Sequence, residues 1–183
     1  MSIEIHTQRT VIKLLEPTRA QLMLDYYIEN NKHLAPWEPV RDESYYTLQN
    51  FSKILEQATQ EFESKATLKL VALNKDENEI MAVCDFTNIV YGVFQACNLG
   101  YSIAEKYQGL GLMTEVLEVT ISYVFDELSL HRVMANYIVN NIRSEKLLVK
   151  LGFEKEGLAK SYLKIAGKWQ DHILTAKINP KHS

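Results

Sequence analysis

The most constraining stretch of this 183-residue chain lies between residues 95 and 128. An alternating, extended segment from about Gln95 to Ala104 runs straight into Tyr107-Gln108-Gly109-Leu110-Gly111-Leu112-Met113, and a long helix follows from about Met113 to Leu128. Two glycines at a strand-to-helix junction let the backbone turn tightly and approach a ligand with no Cβ in the way. The first turn of the helix carries amides that have no intrahelical acceptor, and it is the positive end of the helix dipole. Those two properties suit a phosphate or a pyrophosphate. The segment is not a Walker loop, because no Gly-Lys-Ser/Thr follows, and it is too short for Gly-x-Gly-x-x-Gly. Two glycines can also make a tight turn and nothing more, so the loop alone leaves both readings open.

The remaining pattern places that junction in a larger frame. Residues from about Ile3 to Leu15 alternate and are expected to form one strand that stops at Pro17. Thr18 with Gln21 has capping-box spacing and predicts a helix from about Arg19 to Asn30. The segment His33-Leu34-Ala35-Pro36-Trp37-Glu38-Pro39 is a stiff loop, held by its two prolines. A second helix is expected over about Ser44 to Ser64, with Phe51, Leu55, Ala58 and Phe62 on one face. Strands follow at Thr67 to Leu73 and Ile80 to Ile89, joined as a hairpin. After the long helix come a strand at Arg132 to Val139, a short helix at Ile142 to Leu151, and strands at Phe153 to Lys164 and Trp169 to Ile178 around an Ala166-Gly167 turn. The expected class is α/β (α+β): a mixed sheet of about seven strands with helices on both faces, in one domain spanning residues 1–183.

Composition removes several function classes. The formal net charge of −3 argues against an indiscriminate nucleic-acid binder. No apolar run approaches membrane-spanning length, and the N-terminus has no signal-peptide core, so a cytoplasmic protein with no membrane partner is expected. The two cysteines, Cys84 and Cys97, have no metal-ligand or Cys-x-x-Cys spacing and read as reduced, packed thiols. No metal is expected.

About thirty residues beyond the glycine loop come Asn141-Ile142-Arg143-Ser144, then Leu147, Leu148, Leu151-Gly152-Phe153 and Glu156-Gly157. Gln/Arg-x-x-Gly-x-Gly/Ala, here from Gln108 through Gly111, followed by a strand, Asn-x-x-Ser/Ala, Leu-Gly-Phe and Glu-Gly resembles the GNAT N-acetyltransferase superfamily. The match covers about Ile80 to Ile178. Residues 33–39, Met134-Ala135-Asn136-Tyr137 and Gly167-Lys168-Trp169-Gln170-Asp171-His172 resemble the RimJ/RimL branch, and the RimJ type in particular. That type acetylates the N-terminal alanine of a small-subunit ribosomal protein.

The resemblance implies a GNAT fold, with the strand at 95–104 splayed from the one at 132–139, and acetyl-CoA as co-substrate. Main-chain groups of Gly100, Tyr101, Ser102 and Ile103 would pair with the pantetheine arm. Gln108, Gly109, Leu110, Gly111, Leu112, Met113 and Thr114 would form the pyrophosphate loop. Asn141 would bind the arm, and Leu147 and Leu148 would cover it. Met113 departs from the family pattern, which often has Gly or Ala there.

Many family members carry a tyrosine that protonates the leaving thiolate. Its position is Leu148 here, so Ser144 is the hydroxyl expected to take that role. Some members carry a glutamate where this chain has Asn136, and a base known from the RimL type falls at Leu163. The candidates left for the base are Glu105, Glu38 and His172. An α-amine, with a pKa of roughly 7.7–8.0, is partly neutral without any base. Trp37 and Glu38 are expected over the acceptor, with Asn136, Tyr45, Tyr46 and Trp169 as further lining. The acceptor stays open between a ribosomal protein N-terminus, another protein N-terminus and a small amine. A catalytically idle acetyl-CoA-binding domain is the alternative of another class, and a monomer or homodimer fits either.

Overall fold

The computed structural model describes residues 3–182. In chain order its elements are β1 (Glu4–His6), β2 (Val11–Lys13), α1 (Ala20–Glu29), α2 (Asn31–Leu34), α3 (Leu48–Glu63), β3 (Leu68–Leu73), β4 (Ile80–Val90) and β5 (Ala96–Ile103). They continue with α4 (Leu112–Glu127), β6 (Arg132–Met134), β7 (Tyr137–Ile138), α5 (Ile142–Lys150), β8 (Glu154–Ile165) and β9 (Lys168–Ile178). Nine strands form one sheet in the order β1-β2-β3-β4-β5-β6-β9-β7, with β8 also on β9. All pairs are antiparallel except β5 with β6.

Two of the expected strands each divide in two, which takes about seven to nine. Residues 3–15 form a hairpin rather than one strand, with Glu4 opposite Lys13. The turn is made by threonines: Thr7 Oγ1 accepts from the Thr10 amide at 2.9 Å and bonds Thr10 Oγ1 at 2.7 Å. Residues 132–139 break at Ala135-Asn136. There the Asn136 side-chain carbonyl accepts the Thr175 amide at 3.3 Å, taking the place of a ladder bond.

Helix starts also differ in detail. Thr18 does not cap α1; it lies in a 3-10 turn (Pro17–Arg19), and α1 begins with no side-chain cap. Residues 43–45 form a separate 3-10 turn, and α3 begins after Thr47, whose hydroxyl accepts from the Asn50 amide.

The sheet is covered on both faces, as the pattern of alternating strands and helices requires. On one face α4 buries Leu112, Val116, Leu117, Ile121 and Val124, a stripe at helical spacing, against β3, β4 and β5. Leu148 and Leu151 of α5 join that core. On the other face α1 and α3 bury Ala20, Met23, Tyr26, Phe51 and Leu55 against Val71, Leu73 and Val83. Each fully buried Leu or Val contributes about 1.5–3 kcal/mol, so the two cores hold β4 and β5 firmly between them. Cys84 and Cys97 are buried and unpaired by disulfide. No helix among the described residues is long and apolar enough to cross a membrane.

Candidate active site

The site begins with a missing pairing. β6 runs alongside β5 for three residues only: Ala96 opposite Arg132, Cys97 opposite Val133 and Asn98 opposite Met134. The chain then breaks at Asn136, and β7 pairs with β9 instead. Among the described residues no strand pairs with that edge of β5 from Leu99 to Ile103. A strand edge left this way presents main-chain donors and acceptors to any extended, amide-bearing ligand. The splay expected from the resemblance is therefore present, and the break at Asn136 is its local cause.

At the end of β5 the chain turns through Gly109 and Gly111, with φ of 74° and 73°, in the left-handed region that only glycine enters without strain. The ladder of α4 opens with the Glu115 amide donating to the Gly111 carbonyl at 3.2 Å. The amides of residues 112–114 precede that bond and are the helix's own unpaired donors. Arg9, in the β1–β2 turn, holds the loop from behind. Its Nη1 donates to the Leu110 carbonyl at 2.8 Å, and its amide and Nε donate to the two Glu115 oxygens at 3.0 and 2.7 Å. That clamp also occupies the one acidic side chain in the first turn of α4. Burial pushes Glu115 up, but bonds from Thr7 and Arg9 outweigh it and leave the carboxyl below its usual range. Gln108 ties the other side together, with His33 Nε2 at 3.0 Å and Arg143 Nη1 donating to its Oε1 at 2.6 Å. Leu110 is exposed, whereas Leu112 and Met113 point into the core. Met113 is thus a core residue and leaves the loop surface clear.

The start of α5 faces the same gap. Asn141 caps this helix by accepting from the Ser144 amide at 3.1 Å, which commits its carbonyl and leaves only its amide nitrogen for a ligand. Leu148 is buried in the core, so it does not line the gap; Leu147 is only partly covered. The Ser144 hydroxyl lies 2.5 Å from the hydroxyl of Tyr101, which reaches across from β5. Sequence reading singled out Tyr101 only for its main chain and missed this contact, because β5 and α5 are 43 residues apart at this pair. Burial pushes the Tyr101 phenol up to about 12, while the bond to Ser144 opposes the rise. It stays protonated at neutral pH and can donate.

The opposite face of β5 is bounded by α1. Tyr26 bonds Ser102 Oγ at 2.8 Å, and Asn30 accepts the Glu105 amide at 2.8 Å, so the side chain of Ser102 and the main chain of Glu105 are engaged structurally. Glu105 itself is exposed on a 3-10 turn. Glu38 lines a cleft of about 280 Å³ with Tyr27, Arg41 and Tyr46. Burial raises its carboxyl and Arg41 opposes. The Glu38 carbonyl accepts from the Ala166 amide at 2.9 Å, which ties the loop to the tip of the β8–β9 hairpin. Trp37 is partly exposed beside it, Tyr45 belongs to a ring cluster with Tyr27 and Phe51, and Trp169 is largely exposed on β9.

Two candidates are held elsewhere. His172 is buried, its Nδ1 on the Gln170 carbonyl at 2.9 Å and its ring against Tyr162. Asn136 serves the strand break described above, with its Nδ2 3.5 Å from the Tyr162 hydroxyl. Leu163 pairs with Gln170 and is exposed. Among the described residues no cluster of three or more His, Cys, Asp or Glu side chains forms a metal site.

Comparison with known proteins agrees with this geometry. Residues 10–154 match the model of the acetyltransferase (GNAT) domain. The chain is 44% identical to the [ribosomal protein uS5]-alanine N-acetyltransferase of Escherichia coli K12, over 97% of this chain and 92% of that one. The crystal structure of the ribosomal-protein-S5-alanine acetyltransferase from Vibrio fischeri superposes with a TM-score of 0.94 at 37% identity, covering 99% of each chain. Mycobacterium smegmatis RimJ, solved with CoA-disulfide, superposes with a TM-score of 0.88 at 25% identity, over 94% of this chain and 83% of that one. A splayed mixed sheet with a glycine loop at its helix junction, matched by family model and by relatives along nearly the whole chain, means that this protein belongs to the GNAT acetyltransferase family and is an N-acetyltransferase.

Proposed function

We propose that this enzyme transfers acetyl from acetyl-CoA to the α-amine of an N-terminal alanine on a small-subunit ribosomal protein, by direct attack of the amine on the thioester. The observation that carries the reading is the juxtaposition of the open edge of β5, the Gly109–Gly111 loop and the Tyr101–Ser144 pair. The pantetheine arm adds to β5 as an extra strand. The pyrophosphate rests on the loop and on the amides of residues 112–114, with Arg9 and Gln108 fixing the loop's position. The amide nitrogen of Asn141 and the side chain of Leu147 meet the arm near its thiol end. The donors Gly109, Leu110, Gly111, Leu112, Met113 and Thr114 act through the main chain.

The thioester then lies beside β5, where the amide of Ile103 or of a neighbour bonds the developing oxyanion. Ser144 donates to the departing sulfur, and Tyr101 reprotonates Ser144 along their 2.5 Å bond. This pair fills the place that a tyrosine on the short helix fills in other members of the family. Trp37 and Glu38 cover the acceptor, and the α-amine's low basicity makes it an easier nucleophile than a lysine. The names of the relatives from Escherichia coli and Vibrio fischeri support the ribosomal acceptor.

The test is thiol release from acetyl-CoA with peptides that begin with alanine, alongside mass spectrometry of N-termini after incubation with ribosomal proteins. Release with the alanine peptide and not with its N-acetylated form supports the reading. Release only with polyamines or free amino acids replaces the acceptor. Binding of CoA with no release to any amine leaves an idle binding domain.

A further inference from the structure

We propose that Asp85 is the carboxylate that receives the acceptor's ammonium group and takes its proton before attack; the inference rests on the acetyltransferase reading above and deepens it. Asp85 lies on β4 directly opposite Gly100, in the middle of the stretch of β5 whose other edge no strand pairs among the described residues. Side chains alternate along β4, so Asp85 shares a face with Val83, on the α1 and α3 side of the sheet. On β5, Tyr101 reaches Ser144 on one face while Ser102 meets Tyr26 of α1 on the other. The proton donor for sulfur and the proposed acceptor for the amine therefore stand on opposite faces of the sheet, at the paired strands β5 and β4. Glycine at 100 keeps the path open: a Cβ built there meets nothing within 4 Å.

The surroundings of Asp85 leave it in want of a cation. It lines a cleft of about 300 Å³ together with Tyr27, Arg41, Tyr45 and Lys69. Among the described residues no hydrogen bond or ion pair reaches its carboxylate. Its cross-strand neighbour Lys69 gives its Nζ to Glu61 of α3 at 3.1 Å, and Arg41 stacks on Tyr45. Asp85 is largely but not fully covered, and a carboxylate so placed without a partner is costly to keep charged. Burial pushes Asp85 up to about 6, with Lys69 opposing and Glu38 adding to the rise. The titratable groups facing it are Tyr26 and Tyr27 from α1, Glu38, Arg41 and Tyr45 from the segment after α2, and Lys69 from β3, with Glu61 of α3 behind Lys69. An incoming ammonium supplies the missing positive charge.

The protons balance. Asp85 accepts one from the ammonium, the neutral nitrogen forms its bond to the acetyl carbon, and the carbon–sulfur bond breaks. The thiolate takes its proton from Ser144 and Tyr101, and the new amide nitrogen gives up one proton to refill them. Asp85 then releases its proton to solvent.

This assignment has a signature in the pH dependence of kcat/KM for the peptide. With Asp85 as base, the reacting pair is carboxylate plus ammonium. Activity is then lost as pH falls through about 6 and holds level from there to the amine's own pKa of roughly 7.7–8.0. Without a base the neutral amine must be captured from solution, and kcat/KM climbs tenfold per pH unit up to that pKa. The experiment compares wild type with Asp85→Asn and Asp85→Glu, using an alanine-starting peptide, with CoA calorimetry as the measure of an intact fold.

The expected result is a level wild-type profile between about pH 6 and 7.5 and a fall of about 100-fold in Asp85→Asn at pH 7. The variant's profile should climb instead of levelling, its CoA affinity should be unchanged, and Asp85→Glu should recover part of the loss. A wild-type profile that climbs throughout overturns the proposal even if no variant folds. So does an Asp85→Asn enzyme within threefold of wild type. Wild type that binds CoA and releases no thiol with any amine overturns the acetyltransferase reading itself, and Asp85 with it.

Discussion

The two faces of β5 are built by different means. Toward α4 and α5, the surface offered to a ligand is mostly main chain: a strand edge, two left-handed glycines and the first amides of a helix. Toward α1 and α3 it is mostly side chain: Tyr27, Glu38, Arg41 and Asp85, drawn from a helix, a loop and a strand. Main-chain recognition suits a ligand that is the same in every reaction, since amides cannot be exchanged by substitution. Side-chain recognition suits the partner that differs between family members, because each contributing residue can change alone. The difference teaches where substitutions act: on the first face they must alter the backbone, on the second they need only remove a group.

The largest expected effect is on the main-chain face. Gly111→Glu places a Cβ at φ 73° and a negative charge at the loop. Left-handed strain of roughly 1–2 kcal/mol combined with charge repulsion at a helix N-terminus should weaken CoA binding about 100-fold by calorimetry, with acceptor binding unaffected. A variant with parental affinity breaks the comparison outright.

Next come Tyr101→Phe and Ser144→Ala. Each should lower kcat by about 10- to 100-fold with both KM values nearly unchanged, the mark of a group that acts in the transition state. Because the two hydroxyls form one unit, the double variant should be little worse than the worse single. Additive losses would mean that the pair does not work as a relay.

On the side-chain face, Trp37→Ala should raise the peptide's KM roughly tenfold and leave that of acetyl-CoA alone. An unchanged peptide KM removes Trp37 from the acceptor cleft. The smallest effect sharpens the division. Arg9→Ala loses the clamp on Leu110 and Glu115, so the KM for acetyl-CoA should rise about threefold while the peptide's KM stays put. A change confined to the peptide would put Arg9 on the wrong face.

The same division decides how much could be read before the structure. The strand–glycine–helix junction and both β-α-β passages leave local marks, because positive φ and unpaired helix amides demand particular residues in sequence. The strand breaks do not. At Asn136 a side-chain amide stands in for a ladder bond to Thr175, 39 residues away. At residues 7–10 threonine hydroxyls close a turn with no Gly, Pro or Asn to announce it. Thr18 and Gln21 had the spacing of a cap, but a 3-10 turn over Pro17–Arg19 sets the entry to α1 instead. Asp85 leaves no local mark, because its place in the cleft under α1 and α3 depends on segments far apart in the chain. Ser144 was readable, whereas its partner Tyr101 was not, since their contact needs β5 and α5 to be brought side by side.

The central claim is that the main chain of β5 and of the glycine loop holds the cofactor. Amide hydrogen exchange with and without CoA tests it at the bonds concerned. The account predicts slowed exchange on CoA addition at residues 99–103 and 109–114, with β1 to β3 unchanged. Binding of CoA that leaves exchange at both segments unaltered would contradict it.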